Sequence, residues 1–102
     1  MSTEALVQMM LVAQASMDLW RAEDAASNAR DNYHREINRY EAENGALSRL
    51  IRLTAPEHAA VREFTAAKYK VHQVAKRKVY AAKCRLKKAC AKLARISAER
   101  PA

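Results

Sequence analysis

The sequence Thr54-Ala55-Pro56-Glu57 separates two long stretches that are rich in alanine and in charged residues. Threonine is a favourable helix N-cap, proline is tolerated in the first helical turn, and a glutamate three residues after the threonine completes a capping box. We therefore predict a turn at about residues 54–56 and a second helix that begins at about residue 56. A connection this short makes the two helices antiparallel neighbours.

Both stretches repeat mainly apolar residues at intervals of three and four, which is the spacing of a coiled coil. The repeat in the first half consists of Val12, Ala15, Leu19, Ala22, Ala26, Ala29, Tyr33, Ile37, Tyr40, Asn44, Leu47 and Ile51. The repeat in the second half consists of Val61, Phe64, Lys68, Val71, Ala75, Val79, Ala82, Leu86, Ala89, Leu93 and Ile96. We predict an all-α fold, a long antiparallel two-helix coiled-coil hairpin that forms a single domain over residues 1–102. Helix 1 is expected at about residues 3–53 and helix 2 at about residues 56–98.

A fold-back point at residue 55 or 56 fixes the expected register of the two helices. It places Tyr40 opposite Val71 and Trp20 opposite Ala91. It also places residue 98 opposite residue 13, so the first twelve residues are expected to extend beyond the end of helix 2.

Two irregularities interrupt the predicted helices. Each repeat contains one inserted residue, between Tyr33 and Ile37 in helix 1 and around Val71 in helix 2, and the fold-back places both insertions at one level. The dipeptide Asn44-Gly45 is the second irregularity, because glycine in a helix costs about 1 kcal/mol relative to alanine. We predict one continuous helix 1, with a kink at Asn44-Gly45 as the alternative.

The first twenty residues are apolar on more than one side of the predicted helix, so helix 2 alone cannot cover them. Gln8, Gln14 and Asp18 interrupt this run, which predicts neither a signal peptide nor a membrane span. We predict a homodimer or a larger helical bundle, because exposed apolar surface of this kind requires a partner. Docking on a different protein is the alternative. The predicted self-association residues are Leu6, Val7, Met9, Met10, Leu11, Met17 and Trp20.

Charge is distributed unequally between the two halves. Residues 1–53 contain eight acidic and six basic residues, whereas residues 54–102 contain three acidic and thirteen basic residues. The second helix therefore attracts acidic protein surfaces or the phosphates of nucleic acid, although a solvated helix face also explains such a run. The predicted binding residues for an acidic protein or for nucleic acid are Lys76, Arg77, Lys78, Lys83, Arg85, Lys87, Lys88, Lys92 and Arg95.

The sequence contains no pattern typical of an enzyme, a cofactor site or a metal site. It has no glycine-rich loop, and its three histidines are dispersed along the chain. Most of the aromatic residues, Tyr80 and Trp20 included, are expected on or beside the interface between the helices. Cys84 and Cys90 lie six residues apart on one helix, too far around its axis to form a disulfide, which favours a reducing cytoplasm.

These observations predict a non-enzymatic protein-protein interaction module. As an adaptor or inhibitor, it would present its basic second helix to an acidic partner. The alternative is a nonspecific nucleic-acid-binding protein that lays the same helix along phosphates. In size, charge and helical content the chain resembles the accessory proteins with which phages block host enzymes or defence complexes, and this resemblance implies the inhibitor role.

Overall fold

The protein is a hairpin of two long antiparallel α-helices. A computed structural model describes residues 2–44 and 59–99, and these contain α1 (Thr3–Asn44) and α2 (Ala59–Ala98). Apart from Ser2 and Glu99, every described residue is helical, and the molecule measures 70 × 21 × 18 Å. The predicted all-α hairpin is confirmed. The predicted turn at residues 54–56 lies outside the described residues. The predicted continuation of helix 1 past Asn44-Gly45, and the alternative kink there, also fall on residues outside the described ranges.

Capping interactions determine where the described helices begin and end. The backbone N–H of Ala5 donates to the Ser2 hydroxyl at 3.1 Å, so a serine caps the first turn of α1. Glu4 in the same turn interacts favourably with the positive end of the helix dipole. At the carboxyl end of α2, the Glu99 N–H donates to the Arg95 carbonyl at 3.1 Å. The positive charge of Arg95, in the last turn of α2, interacts favourably with the negative end of the helix dipole.

The least exposed side chains form a narrow seam along the facing sides of the two helices. Small residues such as Ala29 and Ala82 are buried within it, which lets the helices approach closely. In α1 the seam consists of Ala5, Gln8, Val12, Ala15, Leu19, Ala22, Ala26, Ala29, Tyr33, Glu36 and Tyr40. In α2 it consists of Val61, Thr65, His72, Ala75, Val79, Ala82, Leu86, Ala89, Leu93 and Ile96.

At the level of the predicted inserted residues the seam passes through positions that sequence analysis did not assign to it. Glu36 follows Tyr33 in α1, while Thr65 and His72 occupy levels in α2 for which Phe64 and Val71 were predicted. Val71 is instead 56% exposed. The polar Thr65 is tolerated because its hydroxyl donates to the Val61 carbonyl at 2.8 Å.

The predicted register is wrong. Tyr40 packs against Phe64, with ring centroids 5.4 Å apart, and not opposite Val71. Phe64 precedes Val71 by seven residues, which is two turns of helix. A displacement by whole heptads still brings apolar positions opposite apolar positions, so the apolar pattern alone does not distinguish the two registers.

The predicted overhang of the first twelve residues is also wrong. Gln8 is only 4% exposed, and its Nε2 atom donates to the carbonyl of Ala89 at 3.0 Å. Ala5 is buried as well. The amino-terminal turns of α1 therefore pack against the last turns of α2.

Candidate functional site

A continuous run of exposed basic side chains covers α2. No acidic residue occurs between Glu63 and Glu99, so nothing within this part of the helix neutralises the run. All of its members are classed as exposed. We call this the basic surface, and it consists of Lys68, Lys70, Lys76, Arg77, Lys78, Lys83, Arg85, Lys87, Lys88, Lys92 and Arg95.

The basic surface extends around three sides of α2. Lys76 and Lys83 line a groove on one side of the hairpin, and Lys70 and Lys78 line a groove on the other. Arg77 lies about half a turn from the seam residue Leu86, on the outer side of the helix. The nine binding residues predicted from sequence are therefore all accessible but do not form a single stripe.

The acidic residues of α1 do not neutralise this charge by direct pairing. Three ion pairs lie within α1, joining Arg21 to Asp18 at 3.7 Å, Arg30 to Asp31 at 3.8 Å and Arg39 to Glu36 at 3.2 Å. None of the three includes a member of the basic surface. α1 has eight acidic and four basic residues against one acidic and twelve basic residues in α2, so the two helices carry net charges of −4 and +11.

Two grooves run along the sides of the hairpin. The larger has a volume of about 580 Å³, and Glu23 and Arg30 of α1 face Lys76 and Lys83 of α2 across it. The smaller has a volume of about 380 Å³, and alanine and valine side chains form most of its lining. Both are open to solvent, which makes them suited to contact with a macromolecule.

Tyr80 lies in the larger groove and is 71% exposed, which corrects the prediction that it packs beside the seam. It sits between Lys76 and Lys83, one turn away from each along the helix. An exposed aromatic ring within a cationic surface is a suitable platform for a nucleic-acid base. Sequence analysis missed this arrangement because a tyrosine one position after the seam residue Val79 was assumed to be covered.

An aromatic and imidazole cluster occupies the middle of the hairpin. The ring of Tyr33 lies 5.3 Å from Tyr69 and 6.1 Å from His72, the latter nearly parallel at 14°. His34 adds a third contact to Tyr33, with ring centroids 5.9 Å apart. Such contacts join the helices at a level where alanine would leave a gap.

The cluster alters the protonation of two of its members. Burial raises the pKa of Tyr33, and the neighbouring Tyr69 adds to this, while a hydrogen bond with Thr65 opposes it. Burial lowers the pKa of His72, as do the nearby Lys76, His34 and Arg30. The His72 Nδ1 atom is buried without a hydrogen-bond partner. His72 is therefore held in its neutral form at pH 7.

A second exposed surface lies on α1. The predicted self-association residues are all largely exposed, with Met10 at 66% and Trp20 at 62%. They remain exposed because α2 covers only one side of α1, and not because the helix extends beyond its partner. We call this the apolar surface, and it consists of Leu6, Val7, Met9, Met10, Leu11, Met17 and Trp20.

The basic surface and the apolar surface both lie on the outside of the hairpin and are exposed to solvent. No family model, curated protein or solved structure matches the chain. The exposed charge and the exposed apolar residues are thus the properties from which a function is inferred.

The remaining candidate features are the histidines, the cysteines and the apolar helix. Over residues 2–44 and 59–99, no three histidine, cysteine or acidic side chains are arranged to hold a metal ion. Cys84 and Cys90 are free thiols, of which Cys90 is the more exposed. Neither α1 nor α2 combines the length and the hydropathy that a membrane-spanning helix needs.

Proposed function

We propose that this hairpin is a non-enzymatic interaction module that binds an acidic surface of a partner protein through its basic surface. The observation that supports the proposal is the run of eleven exposed cations between Lys68 and Arg95 without an acidic residue among them. Solubility alone does not require charge of one sign at this density. Binding would be the whole activity, so the molecule would act as an adaptor or an inhibitor, as the resemblance to phage accessory proteins implies.

An acidic protein is favoured over other polyanions by the distribution of the cations. The charges surround three sides of a straight helix, and a protein groove or a pair of acidic helices can contact all three sides at once. The groove beside Ala25, Val71 and Val74 adds apolar contacts that a phosphate backbone would not use. We also propose a cytoplasmic location, because Cys84 and Cys90 are free thiols and such thiols persist in a reducing compartment.

The proposal includes self-association through the apolar surface. Side chains such as Met10 and Trp20 are more than half exposed in the single hairpin. Contiguous apolar surface of this extent is uncommon on soluble monomers. A second copy of the chain is the simplest partner, because two-fold pairing is the commonest form of oligomerisation.

The charge hypothesis is tested by fluorescence anisotropy with poly-glutamate as the acidic probe. The triple variant K83Q/K87Q/K88Q removes three cations from the basic surface, and R21Q/R30Q/R35Q removes the same charge from α1. We expect about tenfold or greater weakening for the first and a much smaller effect for the second at about 50 mM salt. Equal weakening in the two variants, or no binding of the probe by the wild type, would refute the proposal.

Nonspecific nucleic-acid binding is the second candidate, and the exposed Tyr80 ring between Lys76 and Lys83 favours it. Binding to single-stranded DNA would then weaken steeply with salt. Replacing Tyr80 by alanine would cost about 1–3 kcal/mol of stacking energy, whereas Tyr80→Phe would retain it. Tight binding to poly-glutamate with no shift of a single-stranded oligonucleotide at about 50 mM salt excludes this candidate.

A further inference from the structure

Five residues of α1 form a second repeat on the side of the helix that faces away from α2. Leu6, Met10, Ala13, Met17 and Trp20 follow one another at intervals of four, three, four and three. All five are exposed in the hairpin. Intervals of this kind place the side chains in one line, as in a coiled-coil interface. We call this line the outer stripe.

The outer stripe is large enough to form an interface with a second helix. From the exposed fractions of its members, about 500 Å² of mainly apolar surface is available on each copy, allowing for side chains of this size. Two copies would contribute about 1,000 Å², which approaches the lower limit of about 1,200 Å² for specific interfaces. Val7 and Met9, which flank the stripe on either side, supply the remainder.

We infer that a second copy of this chain covers the outer stripe, with the two α1 helices antiparallel about an axis at Ala13 and Gln14. This inference rests on the self-association proposed above and adds its geometry. Trp20 of one copy packs against Leu6 of the other, and Met10 packs against Met17. Ala13 lies at the axis, where its small side chain allows the two backbones to approach.

The charges beyond the outer stripe favour the antiparallel over the parallel arrangement. The same face of α1 continues after Trp20 with the exposed residues Asp24 and Asp31. Parallel pairing would bring each aspartate close to its own copy, and like charges facing each other are destabilising. Antiparallel pairing overlaps only the apolar part of the face, and these aspartates do not meet.

The arrangement determines how the dimer presents its basic surfaces. Because the outer stripe and the seam lie on opposite sides of α1, the two α2 helices lie on the outside of the four-helix assembly. The basic surfaces then face in opposite directions, and the two hairpins extend from the overlap towards opposite ends. One dimer would therefore bridge two acidic partner molecules.

Sedimentation equilibrium and small-angle X-ray scattering on the intact chain test the geometry. The chain has a mass of 11.5 kDa and a long axis of 70 Å. An antiparallel dimer that overlaps over the first 24 or so residues would have twice that mass and a maximum dimension of about 100 Å. A dimer of about 70 Å would overturn the antiparallel arrangement while retaining self-association. A monomer at about 100 µM protein would overturn both.

A matched pair of variants identifies the surface responsible. Met17→Lys places a charge in the outer stripe, and Val71→Lys places one at an equally exposed apolar position of α2. We expect Met17→Lys to be monomeric with unchanged helix content, and Val71→Lys to dimerise like the wild type. Loss of dimer in Val71→Lys alone would exclude the outer stripe as the interface.

Disulfide trapping fixes the direction of pairing. In a background with Cys84→Ser and Cys90→Ser, Leu6→Cys and Arg21→Cys are prepared separately and then mixed under oxidising conditions. Antiparallel pairing predicts a disulfide between the two different variants and little within either variant alone. Rapid linkage of Leu6→Cys with itself would indicate parallel pairing and overturn the inference.

Discussion

Gln8 provides the most direct test of how the two helices are aligned. Its amide nitrogen donates to the Ala89 carbonyl at 3.0 Å across the seam, and the side chain is 4% exposed. Replacing Gln8 by alanine removes this hydrogen bond together with the buried Cγ methylene group and the carboxamide. Replacing it by methionine removes the hydrogen bond and retains the buried chain.

The expected loss of stability follows from these contacts. The hydrogen bond contributes about 1 kcal/mol, and each buried methylene group contributes about 0.8 kcal/mol. Release of the ordered glutamine side chain returns about 1 kcal/mol of conformational entropy. We therefore expect Gln8→Ala to lower the free energy of unfolding by about 1 kcal/mol and Gln8→Met by about half as much.

The measurement is urea unfolding followed by circular dichroism at one fixed protein concentration, because association also contributes to stability. Gln14→Ala is the control, since Gln14 is exposed and the change should stay within about 0.5 kcal/mol. If Gln8→Ala and Gln14→Ala were equally stable, residue 8 would not face α2 and the observed register would be refuted.

The aromatic and imidazole cluster gives two further predictions. The lowered pKa of His72 means that the unfolded chain binds more protons below pH 6.5, so stability is complete above that pH and decreases as the pH falls. His72→Gln should flatten this dependence in urea unfolding between pH 7.5 and 5.5, and an unchanged dependence would contradict the role of His72. Thr65 is 1% exposed and its hydroxyl donates to the Val61 carbonyl at 2.8 Å, so Thr65→Val should cost about 1 kcal/mol. A Thr65→Val variant as stable as the wild type in urea unfolding would contradict this contribution.

Sequence pattern was sufficient to predict the helices and the accessibility of the charged and apolar residues. The intervals of three and four identify helices whatever their partner, and a run of lysine and arginine is accessible unless it is paired. Met10 and Trp20 are exposed as the sequence analysis required. The predicted overhang is nevertheless absent, and these residues are exposed because α2 covers only one side of α1.

The register was not predictable in the same way. Alanine recurs along both sides of the seam, for example at Ala22, Ala29, Ala75 and Ala82. Equal small side chains fit one another at several levels, so they do not select one alignment. The register is instead determined by larger and polar groups, such as the Tyr40 and Phe64 rings and the Gln8 amide. The partners of these groups can be identified only when the positions of both helices are known.

The concentration of like charge on α2 has opposite consequences for folding and for binding. Eleven cations within the 28 residues from Lys68 to Arg95 repel one another, so this helix depends on α1 to remain ordered. Dissolved ions screen that repulsion over about 10 Å at 0.1 M and therefore make the folded hairpin more robust. The same ions compete with any anionic target. Conditions that best preserve the molecule in storage are consequently those in which it is least able to hold its partner.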